Sequence, residues 1–521
     1  MANNQNNSNN KGNSNNNHEI YKMKVKCFDI DAGKFIGVLN EGEATEKDIF
    51  LSDRIGMKYS GKELIAIADT SKTMIGKGEI GIYSETSKAL GLKGGETIEI
   101  KRVPIPESIE YIKKKLDRRS LSQEEIRTIV LETVENKLSE GELASLVAAA
   151  YINGFTIEET VSLAKAMVET GESLDLGVHP VADKHCVGGV AGNRTTMILV
   201  PILAAAGVYI PKTSSRAITS PSGTADTMEV LAPVVMQLDE MKKIILKTHG
   251  CVVWGGAINL APVDDKLIRI RHSLHLDPRG LLLASILGKK KAVGSEYVVV
   301  DIPIGRGAKI GDENEGKSLA RDFIQIGERL NMKIRCLITE GSDPIGNGIG
   351  PGLECKDVLE VLKGNGPLEL LDKSCLLAGS ILEMIGKAPQ GSGTDIALDI
   401  VKKGKAYDKM MEIIEAQGGN PKIKIEDLPI GTYRYEIKAD KPGRVSHVDN
   451  KSISLIARAA GAPKDQGAGI ILNCEMGDKT NIGDTLFEII SNSESNLSYA
   501  IKMVDELKPV ELQKIILGKI E

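Results

Sequence analysis

The chain has 521 residues, a formal net charge of −5 at pH 7 and only 3% aromatic residues. One hydrophobic core rarely supports such a length, so we expect several domains. The acidic balance and the scarcity of aromatic side chains exclude a dedicated nucleic-acid binder that stacks bases on its surface.

The cysteines and the apolar segments indicate where the protein works. Seven cysteines are present without any C-x-x-C spacing, which is typical of reduced thiols rather than of a disulfide framework or a zinc site. We find no signal peptide and no uninterrupted run of about 20 apolar residues. We therefore predict a cytoplasmic protein with no membrane partner and no metal site.

The first part of the chain changes its pattern twice. Residues 1–19 are mostly Asn, with Ser and Gln, and predict a disordered tail because they cannot form an apolar core. Residues 20–103 hold short β-like runs such as M-K-V-K-C-F-D-I, separated by Gly and Asp turns, and predict a β-rich N-terminal domain. From 104 to 172 apolar residues recur every three or four positions, which predicts a helical domain that later helices join. Capping boxes are predicted there at Ser122 to Glu125 and at Ser139 to Glu142.

The rest of the chain predicts an α/β core and one further domain. Residues 173–432 alternate between strand-like and helical patterns, which is typical of an α/β fold. Residues 433–521 are strand-rich again and end in an amphipathic helix. The fold class is therefore α/β multidomain: a helical domain plus an α/β phosphate-binding domain, flanked by the β-rich N-terminal domain and an α+β C-terminal barrel-sandwich-like domain.

One stretch of the C-terminal domain, G-D-K-T-N-I-G-D-T-L-F-E-I-I, resembles the barrel-sandwich hairpins of biotinyl and lipoyl carriers. A carrier would need a modifiable lysine at a hairpin tip, and Lys451 is the candidate. We favour a structural role for this domain, with the carrier as the non-enzyme alternative.

A polar loop from Thr213 to Asp226 reads T-S-S-R-A-I-T-S-P-S-G-T-A-D. It combines seven hydroxyl side chains with the guanidinium of Arg216, and an apolar run after Gly223 predicts the start of a helix. Hydroxyls, a guanidinium and free helix amides suit a bound oxyanion. The alternative is a polar surface loop that caps a helix.

A second loop, Val181 to Thr196, reads V-A-D-K-H-C-V-G-G-V-A-G-N-R-T-T and precedes a long apolar run. Its glycines permit close backbone approach, while Lys184 adds a positive charge and Thr196 a hydroxyl. Neither the G-K-[ST] ending of a P-loop nor a G-x-G-x-x-G fingerprint is present. An ordinary Gly-Gly turn is the alternative, but two such loops, each before an apolar element, favour a phosphate cradle.

The motif pair D-K-H-x-x-G-G-V and S-x-R-x-x-x-x-x-x-G-T-x-D resembles the nucleoside phosphorylase family that includes thymidine and pyrimidine-nucleoside phosphorylases. Within that family, the stretch S-S-R-A-I-T-S-x-x-G-T-A-D and the extra N-terminal domain are most similar to the archaeal AMP phosphorylases. The resemblance runs from about Tyr21 to the C-terminus, with several motifs in the same order.

The resemblance implies that an attacking phosphate lies between the two loops, near Lys184, Thr196, Ser215 and Thr224. A serine that binds phosphate in the family is replaced by Cys186, whose thiol is a weak donor. The resemblance also implies substrate contacts from Gly189 and from the consecutive residues Ser215, Arg216, Ala217, Ile218, Thr219 and Ser220.

The leaving base is implied to meet the segment around D-P-R-G-L-L-L-A-S-I-L-G-K. Ser285 and Lys289 keep the family's spacing of four, which places them on one helix face. The family's arginine is not matched, since Ile270 occupies its place. Asp277 matches the aspartate that gives a proton to the base in AMP phosphorylases, with N7 of the purine as the acceptor. A helix N-cap before Pro278 is the alternative role of Asp277.

The strand end I-P-I-G-R-G-A-K puts Lys309 where nucleoside phosphorylases have an apolar side chain. A cation at this place suits a substrate that carries its own phosphate, and AMP phosphorylases have a lysine there. Arg306 is a weaker second candidate for the same role. An ordinary solvated lysine after a glycine turn is the alternative.

The resemblance therefore implies an enzyme, a pentosyltransferase that phosphorolyses nucleoside 5′-monophosphates. AMP and phosphate would give adenine and ribose 1,5-bisphosphate, with CMP and UMP as further substrates. No organic cofactor is implied, although some relatives hold a potassium ion near the glycine pair, and a homo-oligomer, at least a dimer, is expected. The alternatives are a thymidine or pyrimidine-nucleoside phosphorylase and, from another enzyme class, an anthranilate phosphoribosyltransferase.

Overall fold

The computed structural model describes residues 19–217 and 220–513. The described residues divide into two compact units, one within residues 1–170 and 262–282 and the other within residues 171–261 and 283–521. Apart from Glu19, the predicted disordered tail lies outside the described residues. No helix of the described ranges combines the length and the apolarity needed to cross a bilayer.

The first unit begins with a closed β-barrel whose strands follow the order β1-β5-β2-β4-β3-β6. Apolar side chains such as Leu39, Ile55 and Ile80 fill its interior and are fully buried. Closure pairs the strands all around the barrel, which removes open sheet edges. The strands and two short helices are β1 (Ile20–Cys27), β2 (Ile36–Asn40), α1 (Glu41–Glu46), β3 (Arg54–Tyr59), β4 (Lys62–Ser71), β5 (Glu79–Ile82), α2 (Ser84–Leu90) and β6 (Thr97–Arg102).

A helical bundle completes the first unit, and residues 262–282 return to it later in the chain. The capping box at Ser122 is confirmed, because its hydroxyl accepts from the Glu125 amide while the Glu125 carboxylate accepts from the Ser122 amide. The capping box between Ser139 and Glu142 is confirmed by the same pair of hydrogen bonds. A buried ion pair of 2.8 Å joins Lys115 to Glu159 across the bundle. The helices are α3 (Ser108–Leu116), α4 (Gln123–Val134), α5 (Glu140–Asn153) and α6 (Ile157–Thr170).

The second unit is built on parallel strands. β11, β10 and β7 form one sheet and β8 and β9 another, and a single parallel bridge between Val181 and Tyr209 links the two. In parallel strands the carboxyl ends face the same sheet edge, where ligands usually bind. The strands are β7 (Ala182–Cys186), β8 (Ile210–Ser214), β9 (Gly250–Trp254), β10 (Tyr297–Ile304) and β11 (Lys333–Glu340).

Helices alternate with these strands and confirm the predicted α/β core. The helix that follows the glycine-rich loop is buried along almost its whole length and packs on two later helices, α14 and α16 below. The helices are α7 (Thr195–Ala205), α8 (Thr224–Glu229), α9 (Leu238–Thr248), α10 (Pro262–Leu274), α11 (Arg279–Ala292), α12 (Glu313–Arg329), α13 (Pro351–Leu362), α14 (Leu368–Met384), α15 (Gly393–Lys402) and α16 (Lys405–Ala416). Helix α10 and the first turn of α11 belong to the first unit.

Two small sheets and two helices form the C-terminal part, with strand orders β12-β15-β17-β13 and β16-β14-β18. Strands β16 and β17 pair in different sheets, so the carrier-like stretch does not form a hairpin of its own. Lys451 is the second residue of helix α17, which argues against a carrier lysine. The elements are β12 (Gly348–Ile349), β13 (Tyr433–Lys438), β14 (Gly443–Val448), α17 (Asn450–Ala459), β15 (Gly469–Leu472), β16 (Lys479–Thr480), β17 (Thr485–Ser491), α18 (Glu494–Leu507) and β18 (Val510–Gln513).

Candidate active site

Three predicted binding segments leave the carboxyl ends of parallel strands in the second unit. The glycine-rich loop follows β7, the hydroxyl-rich loop follows β8, and the segment with Lys309 follows β10. The sequence predicted a strand before the Lys309 segment, which β10 confirms, whereas the strand β8 before the hydroxyl-rich loop was not predicted. The carboxyl ends of parallel strands in two bridged sheets therefore carry the predicted phosphate and substrate residues.

The glycine-rich loop touches the Lys309 segment directly. Gly189 has a φ of 96°, and a Cβ atom built on it would lie 2.5 Å from the backbone nitrogen of Lys309. Only glycine leaves room for this backbone approach. The Lys309 side chain is exposed to solvent. Arg306, the other cation of that segment, pairs with Glu511 at 2.7 Å.

Asp226 holds the hydroxyl-rich loop in shape. Its Oδ2 accepts from the amides of Ala217 and Gly223, at 2.7 and 2.8 Å. Arg216 pairs with Asp226 and with Glu229, at 3.2 and 2.6 Å, and these carboxylates raise the pKa of its guanidinium. In this structure the charge of the Arg216 guanidinium is therefore neutralised by two carboxylates, and the side chain stabilises the loop. Asp226 belongs to the recognised motif, but its spacing alone does not indicate this role.

The hydroxyls of this loop differ in exposure. Ser215 and Ser220 are exposed, whereas Thr224 is half-buried at the first residue of α8. The Ser220 hydroxyl donates to the backbone oxygen of Ser222 at 3.0 Å. Two further predicted substrate residues, Ile218 and Thr219, lie outside the described residues.

Lys184 lies in strand β7 and is almost completely buried, with 1% of its surface exposed. Its Nζ donates to Thr195 Oγ1 at 2.8 Å and lies 3.9 Å from Asp301 Oδ2. Burial lowers the pKa of Lys184. Asp301 also accepts from the Thr339 hydroxyl at 2.6 Å. The predicted phosphate residue Thr196 is buried in the first turn of α7.

A second buried charge cluster surrounds Asp183. Lys290 Nζ lies 2.6 Å from one of its carboxylate oxygens and Lys212 Nζ lies 3.6 Å from the other. Burial lowers the pKa of Lys212 to about 7. Neither lysine was predicted as a site residue, because Lys290 stands in a run of three lysines and Lys212 precedes the hydroxyl-rich loop.

His185 lies among these cations. Burial and the charges of Lys290, Lys212, Lys184 and Lys309 hold its pKa well below the usual range. The imidazole is therefore neutral near pH 7. Several ammonium groups around one side chain produce a positive potential, which attracts an anionic ligand.

The residues predicted to contact the base lie on two neighbouring segments of the chain. Ser285 and Lys289 both stand on α11, so the predicted helical spacing is confirmed. Asp277 precedes α11, belongs to the first unit and is 39% exposed. Its carboxylate forms an ion pair with Arg271.

No group of three or more His, Cys, Asp or Glu side chains within residues 19–217 and 220–513 is arranged to hold a metal ion. The seven cysteines are free thiols. Burial raises the pKa of the Cys186 thiol to about 11, which keeps it protonated at the end of β7. A neutral thiol is a weak hydrogen-bond donor.

Three family models match the chain. The helical bundle domain of the glycosyl transferase family matches residues 109–171, and its a/b domain matches residues 178–407. The pyrimidine nucleoside phosphorylase C-terminal domain matches residues 444–510. Together they cover the helical, α/β and C-terminal parts in the predicted order and confirm the fold class.

The fold also occurs in a solved structure of another enzyme. Anthranilate phosphoribosyltransferase (TrpD) from Thermus thermophilus matches with a TM-score of 0.50 and 20% identity, over 59% of this chain and 98% of that chain. This similarity concerns the fold alone.

Curated relatives match almost the whole chain. The AMP phosphorylase of Pyrococcus furiosus is 48% identical over 96% of this chain and 99% of its own length. The AMP phosphorylase of Thermococcus kodakarensis is 45% identical with the same coverage. The resemblance carried by the two loops is thereby confirmed, and the chain belongs to the AMP phosphorylase family.

Proposed function

We propose that this protein phosphorolyses nucleoside 5′-monophosphates, with AMP as the principal substrate and CMP and UMP as further ones. AMP and inorganic phosphate give adenine and ribose 1,5-bisphosphate. The single observation that carries this function is the 48% sequence identity to an AMP phosphorylase over 96% of this chain. The exposed Lys309 beside Gly189 supports it, because a cation there suits the substrate's own phosphate.

Phosphorolysis of an N-glycosidic bond needs two kinds of group. Positive charge develops on the sugar ring, so an oxyanion must be held against C1′. The departing base gains negative charge and needs a proton. The exposed hydroxyl of Ser215 and the hydroxyls of Thr224 and Thr196 offer donors to the attacking phosphate.

The charge distribution supports a ligand that carries phosphate. Four lysines contribute positive potential at His185, and three of them pair with the buried aspartates Asp183 and Asp301. A positive potential of this kind attracts phosphate groups. A neutral His185 acts in loop positioning and not as an imidazolium acid.

Asp277 gives the proton to N7 of the leaving purine. A carboxyl group can do so only in its protonated form. In this structure the Asp277 carboxylate is paired with the guanidinium of Arg271. Proton donation therefore requires the ion pair to open when the substrate is bound, so that Asp277 meets the base instead of the guanidinium.

The contact between Gly189 and the Lys309 segment gives a test of the loop geometry. Gly189→Ala should raise the AMP concentration at half-saturation by about tenfold, since a Cβ atom at this place displaces Lys309. Gly188→Ala is the matched control: Gly188 has nearly the same φ, 97°, but a Cβ there meets nothing within 4 Å. Steady-state kinetics of both variants would check this. If Gly188→Ala raised the AMP concentration at half-saturation as much as Gly189→Ala does, the proposed role of the contact would be wrong.

The function itself is tested by the products. Incubation with AMP should release adenine only when inorganic phosphate is present, and phosphorus NMR should detect ribose 1,5-bisphosphate in equal amount. Adenine release that does not depend on phosphate would indicate hydrolysis and would contradict the proposal.

The protein is proposed to act in the cytoplasm as a homo-oligomer, at least a dimer, without a metal or an organic cofactor. Exposed apolar side chains on the N-terminal barrel, Phe50 at 54% and Leu51 at 65% exposure, support a contact surface there. Light scattering would test this, because a particle mass equal to the 56.0 kDa chain would contradict an oligomer.

A further inference from the structure

Helix α17 belongs to the C-terminal part of the chain, yet it contacts both predicted phosphate loops. Asn450 is its first residue and bonds to Ala191 in the glycine-rich loop. Arg458, in its last turn, bonds to Ser220 in the hydroxyl-rich loop. All four residues lie in the second unit. One helix therefore links two loops that stand far earlier in the chain.

Asn450 uses both ends of its side-chain amide outside its own helix. Its Oδ1 accepts from the Ala191 amide at 2.9 Å. Its Nδ2 donates to the backbone oxygens of Gly341 and Ser342, at 3.0 and 2.9 Å, just after β11. The residue is 2% exposed. Since a buried polar group with all its partners in place makes its surroundings rigid, Asn450 ties the glycine-rich loop to the end of β11.

The helix itself does not need an asparagine at this position. Asp449 is the N-cap of α17, and its carboxylate accepts from the Ser452 amide at 2.7 Å. Asparagine has a lower helix propensity than alanine, so alanine at position 450 would suit the helix better. The stabilising contacts of Asn450 therefore lie outside α17.

The glycine-rich loop depends on such contacts because its own backbone is permissive. Gly188, Gly189 and Gly192 all have positive φ, and glycine loses more conformational freedom on ordering than any other residue. Ala191 stands among them and is held on several sides. Its carbonyl accepts from the Ile345 amide at 3.0 Å, and its side chain is buried in the apolar core that α17 helps to form. Ala191 is therefore the point at which the C-terminal part fixes this loop.

Arg458 reaches the hydroxyl-rich loop from the other end of the helix. Its Nη1 donates to the backbone oxygen of Ser220 at 3.0 Å. A cation in the last turn of a helix is favoured by the helix dipole wherever its side chain points. The contact with Ser220, and not the charge alone, is thus what connects α17 to this loop. A hydrogen bond from a charged donor is stronger than one between neutral groups.

We infer that helix α17 positions both loops for phosphate, with Asn450 and Arg458 as positioning residues that do not touch the phosphate themselves. Asn450 fixes the glycine-rich loop, Arg458 fixes the hydroxyl-rich loop, and the helix between them sets the spacing of the two loops. Loops held in this way bind an anion more tightly, because binding does not have to order them. The inference rests on the proposed function, since it takes the two loops as the phosphate cradle.

Calorimetric titration of the full chain with inorganic phosphate tests this inference. Asn450→Ala and Arg458→Ala should each weaken phosphate binding by about fivefold or more, since each variant loses a contact that holds one loop. Lys451→Ala is the matched control: Lys451 is the exposed second residue of the same helix, and its replacement should leave phosphate binding unchanged. In steady-state kinetics with AMP, the phosphate concentration at half-saturation should rise by the same factor, while kcat at saturating phosphate falls by less than about threefold.

The outcomes separate positioning from a purely structural role. Lower thermal stability of Asn450→Ala and Arg458→Ala with unchanged phosphate binding would overturn the inference. Unchanged phosphate binding in Arg458→Ala would overturn it also if Asn450→Ala does not fold. An equal weakening in Lys451→Ala would overturn it as well, because charge and not the contact would then be responsible. Titration with phosphate alone involves no nucleotide, so these results stand whether or not AMP proves to be the substrate.

Discussion

Asp277→Asn should lower kcat for AMP phosphorolysis by about 10³-fold, with little change in the AMP concentration at half-saturation. The amide keeps the size of the carboxyl group but cannot transfer a proton to N7 of the leaving adenine. Binding of the sugar and the phosphates depends on other residues, so the loss should appear in the chemical step. Steady-state kinetics of adenine release at saturating phosphate would measure it.

A matched substitution controls for changes elsewhere in the first unit. Asp117→Asn removes an exposed carboxylate that pairs with Arg119 at 3.8 Å, and it should leave kcat unchanged. A hydrogen-bond acceptor or N-cap role for Asp277 would be preserved in part by asparagine. If Asp277→Asn keeps more than about a tenth of the wild-type kcat, the proton-donor role is wrong.

Lys309→Ala should raise the AMP concentration at half-saturation by about 100-fold and leave adenosine turnover unaffected. A hydrogen-bonded pair between the ammonium and the 5′-phosphate contributes about 1.5–3 kcal/mol, which corresponds to this range. Adenosine carries no phosphate and cannot lose such a contact. Parallel kinetics with AMP and adenosine as substrates would measure the difference.

Arg306 supplies the comparison within the same segment. Its guanidinium already pairs with Glu511 at 2.7 Å, so Arg306→Ala should change half-saturation by AMP by less than about threefold. If Lys309→Ala impaired kcat/KM for AMP and for adenosine equally, Lys309 would support the fold of the segment and would not bind the 5′-phosphate. The assignment of the 5′-phosphate to Lys309 would then be wrong.

The sequence predicted the parts of the site that depend on local pattern. A helix after Gly223 was predicted from the turn residues before it, and the shared helix of Ser285 and Lys289 was predicted from their spacing of four. The capping boxes of the first unit follow from a spacing of three. Such features need only short stretches of chain, and the structure confirms them.

Contacts between distant segments could not be predicted in this way. Lys184 is buried beside Asp301 because β7 and β10 pair in parallel, with Cys186 opposite Asp301 in the register. The sequence alone does not give that register. The apolar neighbours of Asp301 predict a buried strand without indicating which cation its carboxylate meets.

The ion-pair partners of Arg216 and Asp277 could not be predicted from the sequence either. Arg216 was predicted to face a ligand, but Asp226 and Glu229 neutralise it inside the loop. Asp277 was predicted to donate a proton, and in this structure it pairs with Arg271. Both pairings depend on side-chain directions around a turn, which composition and spacing do not determine.

A nucleoside 5′-monophosphate as substrate can be distinguished from a nucleoside by comparing kcat/KM with phosphate for AMP, adenosine, thymidine and uridine under the same conditions. We expect the value for AMP to exceed each of the other three by at least about tenfold. A value for thymidine that exceeds the AMP value by about tenfold or more would contradict it and would identify a pyrimidine-nucleoside phosphorylase instead.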